Sequence, residues 1–270
     1  MSTTKNYNFD GDTKRYVSLV NSYRLIAGFS KLKVEDVVDI DNFIVGLKEL
    51  GLYEYMNIWL FIPKYNSIYD RKVLPLHAIN FRSDQQIGTL SSTITISEDG
   101  CISVAGATIS GINFIADPTE ITIGFVGTMP TSGGRGGWVA IGGTRTDATF
   151  DNTMLWLNPR TGFGGEFRFS GSFVSIAEND LTGFNSWGVT GKLGDKTIAY
   201  RNGLIAATSS ANASTIPYNS QTVVVGFCRN GLFEGTASLS YIAKKRFTPQ
   251  QILSINSLIK VTVGKNLGLP

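Results

Sequence analysis

Two Asn-Gly dipeptides constrain this chain more than any other feature. Lys196-Thr197-Ile198-Ala199-Tyr200-Arg201 runs into Asn202-Gly203 and out through Leu204-Ile205-Ala206-Ala207-Thr208. Thr222-Val223-Val224-Val225-Gly226-Phe227-Cys228 then runs into Asn230-Gly231, and Thr236-Ala237-Ser238-Leu239-Ser240-Tyr241-Ile242 follows. A two-residue hairpin turn needs positive φ at both central positions, and Asn-Gly supplies that at little cost. Ser186–Lys192 precedes the first hairpin and is broken from it by Leu193-Gly194-Asp195. A chain punctuated in this way folds as antiparallel hairpins.

Short apolar runs continue upstream at the spacing of a sandwich. They are Leu90–Ser97, Cys101–Val104 after a turn at Glu98-Asp99-Gly100, Ile109–Ile115, and Glu120–Thr128. Trp138–Gly142, Thr153–Leu157, Gly165–Ser170 and Phe173–Ala177 come next. In Glu120–Thr128, Ile121, Ile123 and Phe125 alternate only partly with polar residues, the mark of an inner strand. No long helical patterns separate these runs, which argues against a parallel α/β sheet. With 270 residues, 42% hydrophobic and 17% charged, the chain can bury a substantial core.

The two ends have helical period. Tyr16, Val20, Tyr23 and Ala27 fall on one face, and so do Val37, Ile40, Ile44 and Leu47. Asp36, Asp39 and Asp41 sit early in the second of these helices, and Gly51 supplies a stop. Leu52–Ile62 is apolar throughout and is either a further helix or a buried strand. Thr248-Pro249-Gln250-Gln251 is a capping box with proline at the first helical position, ahead of an Ile252, Ile255, Leu258, Ile259 face.

The stretch from Ser186 to Thr248, with Tyr200-Arg201-Asn202-Gly203 at a strand end, resembles the closing third of a concanavalin A-like, or laminin-G-like, jelly-roll domain. Leu47-Lys48-Glu49-Leu50-Gly51-Leu52, Ile58-Trp59-Leu60 and Ala78-Ile79-Asn80-Phe81 resemble the segment that precedes such domains in tailed-bacteriophage virion proteins. Together these motifs cover most of residues 35–265. The resemblance implies a mainly β, antiparallel jelly-roll sandwich over 73–270, with a C-terminal helix. Residues 1–72 would be an arm and helical attachment region, and deletion of residues 1–62 is expected to leave a soluble sandwich that no longer joins its particle or oligomer. It also implies a non-catalytic structural virion protein (a head-fibre, decoration or tail-associated component) assembled in the host cytoplasm. Its expected partners are other virion proteins and further copies of itself. A carbohydrate-binding adhesin for host-surface glycans is the alternative.

The residues bear on chemistry in the same direction. Glycosidases of this sandwich need paired carboxylates, commonly as Glu-x-Asp-x-x-Glu. Here Glu166 stands alone, as do Glu120, Glu178 and Glu234. His77 is the single histidine, with no nearby acid to orient it in a triad. Gly133-Gly134-Arg135-Gly136-Gly137 is followed by strand-like Trp138-Val139-Ala140-Ile141 and not by the helix of a phosphate loop. No enzymatic activity is expected. Some laminin-G-like domains hold calcium at a sandwich rim, and Asp117, Asp147, Asp151 and Asn152 lie in or beside expected loops. Acidic turn residues are common for local reasons, so no cofactor and no metal site is expected, with calcium left open.

A net charge of +3 argues for neither nucleic acid nor an anionic membrane, and Lys244-Lys245-Arg246 reads as a solvated strand end. No apolar stretch approaches a membrane span. Cys101 and Cys228 lack metal-site spacing and read as small buried hydrophobes. If the sandwich binds sugar, the expected rim combines Arg135, Trp138, an Asn185-Ser186-Trp187 turn and Tyr218, with indoles stacking on pyranose rings. Trp156, between two leucines, reads as core.

Overall fold

The computed structural model describes residues 7–79, 87–90, 92, 94–102, 109–110, 119–128, 137–141, 153–156, 165–169, 172–176, 183–213, 223–228 and 236–270. Helices α1 (Gly11–Ile26) and α2 (Val34–Glu49) open the chain. The strands that follow are β1 (Met56–Leu60), β2 (Lys72–Val73), β3 (Pro75–His77), β4 (Gly88–Leu90), β5 (Thr95–Ser97) and β6 (Gly100–Ile102). After them come β7 (Ile109–Ser110), β8 (Glu120–Gly127), β9 (Gly137–Ile141), β10 (Thr153–Trp156), β11 (Gly165–Phe169) and β12 (Ser172–Ile176). The chain ends with β13 (Asn185–Lys192), β14 (Lys196–Arg201), β15 (Leu204–Asn212), β16 (Val223–Cys228), β17 (Thr236–Ala243) and α3 (Pro249–Val261).

A main sheet runs β15-β14-β13-β8-β17-β1-β3, with the β5–β6 hairpin attached to β17. A second sheet runs β12-β11-β10-β9-β16, and a small one runs β2-β4-β7. Every pair among the described strands is antiparallel. Strand β12 lies against β14 and β15, and β7 lies beside β16, so the second and small sheets form one layer over the main sheet. This is the expected antiparallel β-sandwich, with helices at both ends of the chain.

The main sheet is covered on both faces, and its alternating side chains divide between two cores. Toward the second layer point Trp59 of β1, Ile121, Ile123 and Phe125 of β8, Trp187 and Val189 of β13, and Ala199 of β14. On the opposite face Met56, Ile58, Leu60, Val126, Tyr200, Leu239 and Tyr241 meet a helical layer made by α1, α2 and α3. Both faces of β1 are therefore buried along its whole length. That explains why Leu52–Ile62 is apolar without a period: it is a short 3₁₀ turn, Tyr53–Tyr55, followed by a doubly covered strand.

This arrangement corrects the expected division at residue 73. Strand β1 belongs to the N-terminal side of that boundary, yet it pairs with β17 and β3 within the sandwich's main sheet, one strand in from its edge. The expected Leu90–Ser97 strand is also two elements. Gly88–Leu90 pairs with β2 and β7, whereas Thr95–Ser97 forms a hairpin with β6. The other local signals hold. Thr248 and Gln251 form the capping box, and Gly51 ends α2 with φ 65°. Asn202 and Gly203 have φ of 51° and 83°.

Buried polar groups tie the helical layer to the sheet. Asn66 donates to the carbonyls of Leu60 and Leu74 and accepts from the amides of Ser67 and Leu74. Arg24 donates to the carbonyls of Ser30, Pro63 and Asn66. Asp39, 6% exposed, accepts from the Tyr65 hydroxyl at 2.9 Å and from Lys265 Nζ at 2.6 Å. Arg246 is pinned and not simply solvated: its guanidinium pairs with Asp195 and donates to the Lys196 carbonyl. Cys101 is buried in the sandwich core, and burial pushes its thiol up to about 12. Cys228 lies on β16, of which the backbone is described. No described helix is long and apolar enough to cross a membrane.

His77 ends β3 with its ring stacked on Tyr53, centroids 3.9 Å apart, and burial lowers its pKa from 6.5 to about 4. Between those values the unfolded chain takes up a proton that the folded chain refuses. The stability contributed by the neutral ring is thus full above pH 6.5 and is lost as pH falls toward about 4. His77→Phe keeps an aromatic ring beside Tyr53 and cannot protonate, so its melting temperature is expected to fall less over that window. Melts at a series of pH values check this; parallel curves for the two proteins would refute it.

Candidate functional site

The β14–β15 turn builds a polar corner at one end of the main sheet. Because Asn202 and Gly203 take positive φ, the hairpin closes tightly and the Asn202 side chain turns back onto β13. Asn202 Oδ1 accepts from the Ser186 amide at 2.9 Å, and Asn202 Nδ2 donates to Asn185 Oδ1 at 2.9 Å. Arg201 Nε donates to the same Asn185 oxygen at 3.1 Å. The guanidinium carbon lies 5.3 Å from the centroid of the Trp187 ring, within cation–π range. Burial pulls the Arg201 guanidinium down from its usual value, yet the starting point is so high that it stays charged at neutral pH. Arg201 and Asn202 remain part-exposed, while Asn185 and Ser186 are buried beneath them.

This geometry corrects the expected rim. Asn185-Ser186-Trp187 is the start of β13 and not a turn, with Trp187 paired to Phe125 on one side and Arg201 on the other. Trp187 is 2% exposed and packs into the sandwich core. Its indole has no open face for a sugar; it serves as the floor on which Arg201 lies. Its Nε1 is buried without a hydrogen-bond partner among the described residues, as is Asn256 Oδ1. Both residues line a cavity of about 10 Å³ between α3 and the sheet. That is room for a single water at most, so a ligand has to meet the corner from outside.

Of the other expected binding residues, Trp138 lies on β9, of which the backbone is described, and Arg135 and Tyr218 lie outside the described residues. Asp117, Asp147, Asp151 and Asn152 also lie outside the described residues. Among the described residues no group of three or more His, Cys, Asp or Glu is arranged to hold a metal. Glu166 lies on β11 opposite Trp156 and Ser175. The Arg201, Asn185 and Asn202 group has no signature in the sequence, because an Asn-Gly pair reads as a turn and only cross-strand register joins it to Asn185.

No protein-family model matches the chain, and no curated protein matches its sequence. Solved structures do match. A Trypanosoma rangeli sialidase aligns with TM-score 0.54 at 9% identity, over 86% of this chain and 40% of the sialidase. The receptor binding domain of botulinum neurotoxin C/D mosaic serotype aligns with TM-score 0.53 at 10% identity, over 76% of this chain and 51% of that one. The botulinum neurotoxin serotype C1 binding domain aligns with TM-score 0.51 at 10% identity, over 76% and 52%. The chain thus spans roughly two fifths to one half of the structures it matches. At these identities the likeness is one of fold.

Proposed function

We propose that the chain is a non-catalytic binding module whose Arg201 corner meets an acidic or hydroxyl-rich glycan on a host surface. The observation that carries this reading is the Arg201–Asn185–Asn202 group laid over Trp187 at the sheet end. A fixed cation beside side-chain amides suits a sugar carboxylate and its neighbouring hydroxyls, and a guanidinium offers a planar donor fork. Two structures of similar fold are a toxin's binding domain and a toxin's receptor binding domain, and a third is a sialidase; this agrees with a surface-glycan role. The structural virion reading rests on the resemblance of residues 35–265 to tailed-phage proteins. In it the module is a particle component assembled in the host cytoplasm, and the two readings are compatible on one virion.

The test is binding of the purified chain to an array of sialylated and neutral glycans, with Arg201→Ala alongside. Loss of one charge-assisted contact of ~1.5–3 kcal/mol weakens binding by roughly 10- to 100-fold. That loss is expected with little change in melting temperature, because Arg201 is part-exposed. Undiminished binding by Arg201→Ala would move the site elsewhere, and absence of binding to any glycan would leave only the structural role. Release of free sugar from the same panel would overturn the non-catalytic reading.

A further inference from the structure

Most of the large apolar side chains that stay exposed among the described residues gather near the two ends of α2, apart from Tyr7 and from Leu204 and Ile205 of β15. Ahead of its start, the end of α1 and the loop after it present Leu25, Ile26 and Phe29, which are 52%, 84% and 37% exposed. Val34, the first residue of α2, adds a further 53% exposed side chain. This tip is fixed in place. Gly28 takes φ 81°, the Phe29 amide donates to the Arg24 carbonyl at 2.7 Å, and the Phe29 ring stacks on Tyr69 at 5.4 Å. The result is a convex apolar knob, flanked by exposed Lys31 and Lys33 ahead of Glu35.

Toward the other end of α2 lies a groove. Between α2 and α3 runs an open groove of about 520 Å³, with Leu50, Leu253, Leu258 and Val261 on its walls. Gly46, which lines it, leaves no room for a Cβ against Leu258, so the helices approach closely there, and Gln250, Ser254 and Ser257 of α3 add polar groups to the leucine and valine walls. Among the described residues Glu49 is the only charged one that lines it, and the carboxyl end of α2 adds partial negative charge. The sixteen residues of α2 span ~24 Å, so a knob cannot reach the groove of its own chain.

We propose that the knob of one copy seats in the α2–α3 groove of the next, making a head-to-tail contact between copies of this chain. Ile26 and Phe29 enter the groove against Leu50 and Val261, and Lys31 and Lys33 approach Glu49. Knob and groove are different surfaces, so a pair keeps one knob and one groove unfilled, and the contact closes into a ring or propagates. The inference stands apart from the glycan corner and does not depend on it.

The experiment is sedimentation velocity on the full chain over a range of concentrations, with Ile26→Asp and Val261→Arg, both at exposed positions. The wild type is expected to associate with increasing concentration. Each variant is expected to weaken association by at least about tenfold at an unchanged melting temperature. An equimolar mixture of the two variants is expected to recover association but to stop at two copies, since it holds one intact knob and one intact groove. A wild type that stays monomeric, association that survives Ile26→Asp, or a mixture that fails to pair would each overturn the proposal.

Discussion

Removing residues 1–62 is expected to leave a chain that does not fold, and not a free-standing sandwich. The deletion takes out β1, which lies between β17 and β3 in the main sheet, and so exposes two strand edges at once. It also strips α1 and α2 from the sheet face that carries Val126, Tyr200, Leu239 and Tyr241. Burying a large apolar side chain contributes ~1.5–3 kcal/mol. Tyr16, Val20, Ile40, Phe43, Ile44, Leu47, Ile58 and Leu60 all leave that core together. Their sum, ~12–24 kcal/mol, matches or exceeds the ~5–15 kcal/mol that a whole domain usually holds in reserve. Solubility on expression and a thermal melt followed by circular dichroism check this. A soluble, monodisperse truncation with a cooperative transition would show that the helical layer is an appendage after all.

Gly124→Ala is expected to be strongly destabilising, while Gly188→Ala, directly across from it, is expected to be nearly neutral. Gly124 of β8 pairs with Gly188 of β13 on one side and Tyr241 of β17 on the other. A Cβ on Gly124 would fall within the Tyr241 ring, which is 4% exposed and held in the helix-side core. The ring has no vacant space to enter, so the strands must part, at about 3 kcal/mol, the upper end for overpacking. For a domain of this size that is a fall of roughly 10 °C in melting temperature. At Gly188 the nearest atoms to an added Cβ are the Ile123 carbonyl oxygen at 3.5 Å and Tyr200 Cβ at 3.8 Å, ordinary contact distances. The reduced freedom of the unfolded chain then offsets any crowding. Thermal melts of the two variants decide it, and equal shifts would mean that Tyr241 does not occupy the place described.

Local chemistry wrote much of this fold into the sequence. Positive φ at Asn202-Gly203, the Thr248–Gln251 capping box and the stop at Gly51 each depend on neighbours a few residues away, and each was legible without a structure. The partial alternation of Ile121, Ile123 and Phe125 also marked β8 as an inner strand, and it is buried on both faces. What lay beyond reach was which partner covers each face. Leu52–Ile62 is apolar throughout whether it is a helix or a doubly covered strand, and only its pairing with β17, distant in the chain, decides between them. The same pairing joins the helices to the sandwich, because one sheet supplies both cores. Trp187 follows the same logic. Its neighbours Asn185 and Ser186 suggested a turn at the rim, but flanking by β8 and β14 turns its ring inward and leaves Arg201 at the surface. Residue spacing specifies hairpins and caps because those interactions are local; burial of a given side chain depends on what packs over it, and that is set by contacts between segments far apart in the chain.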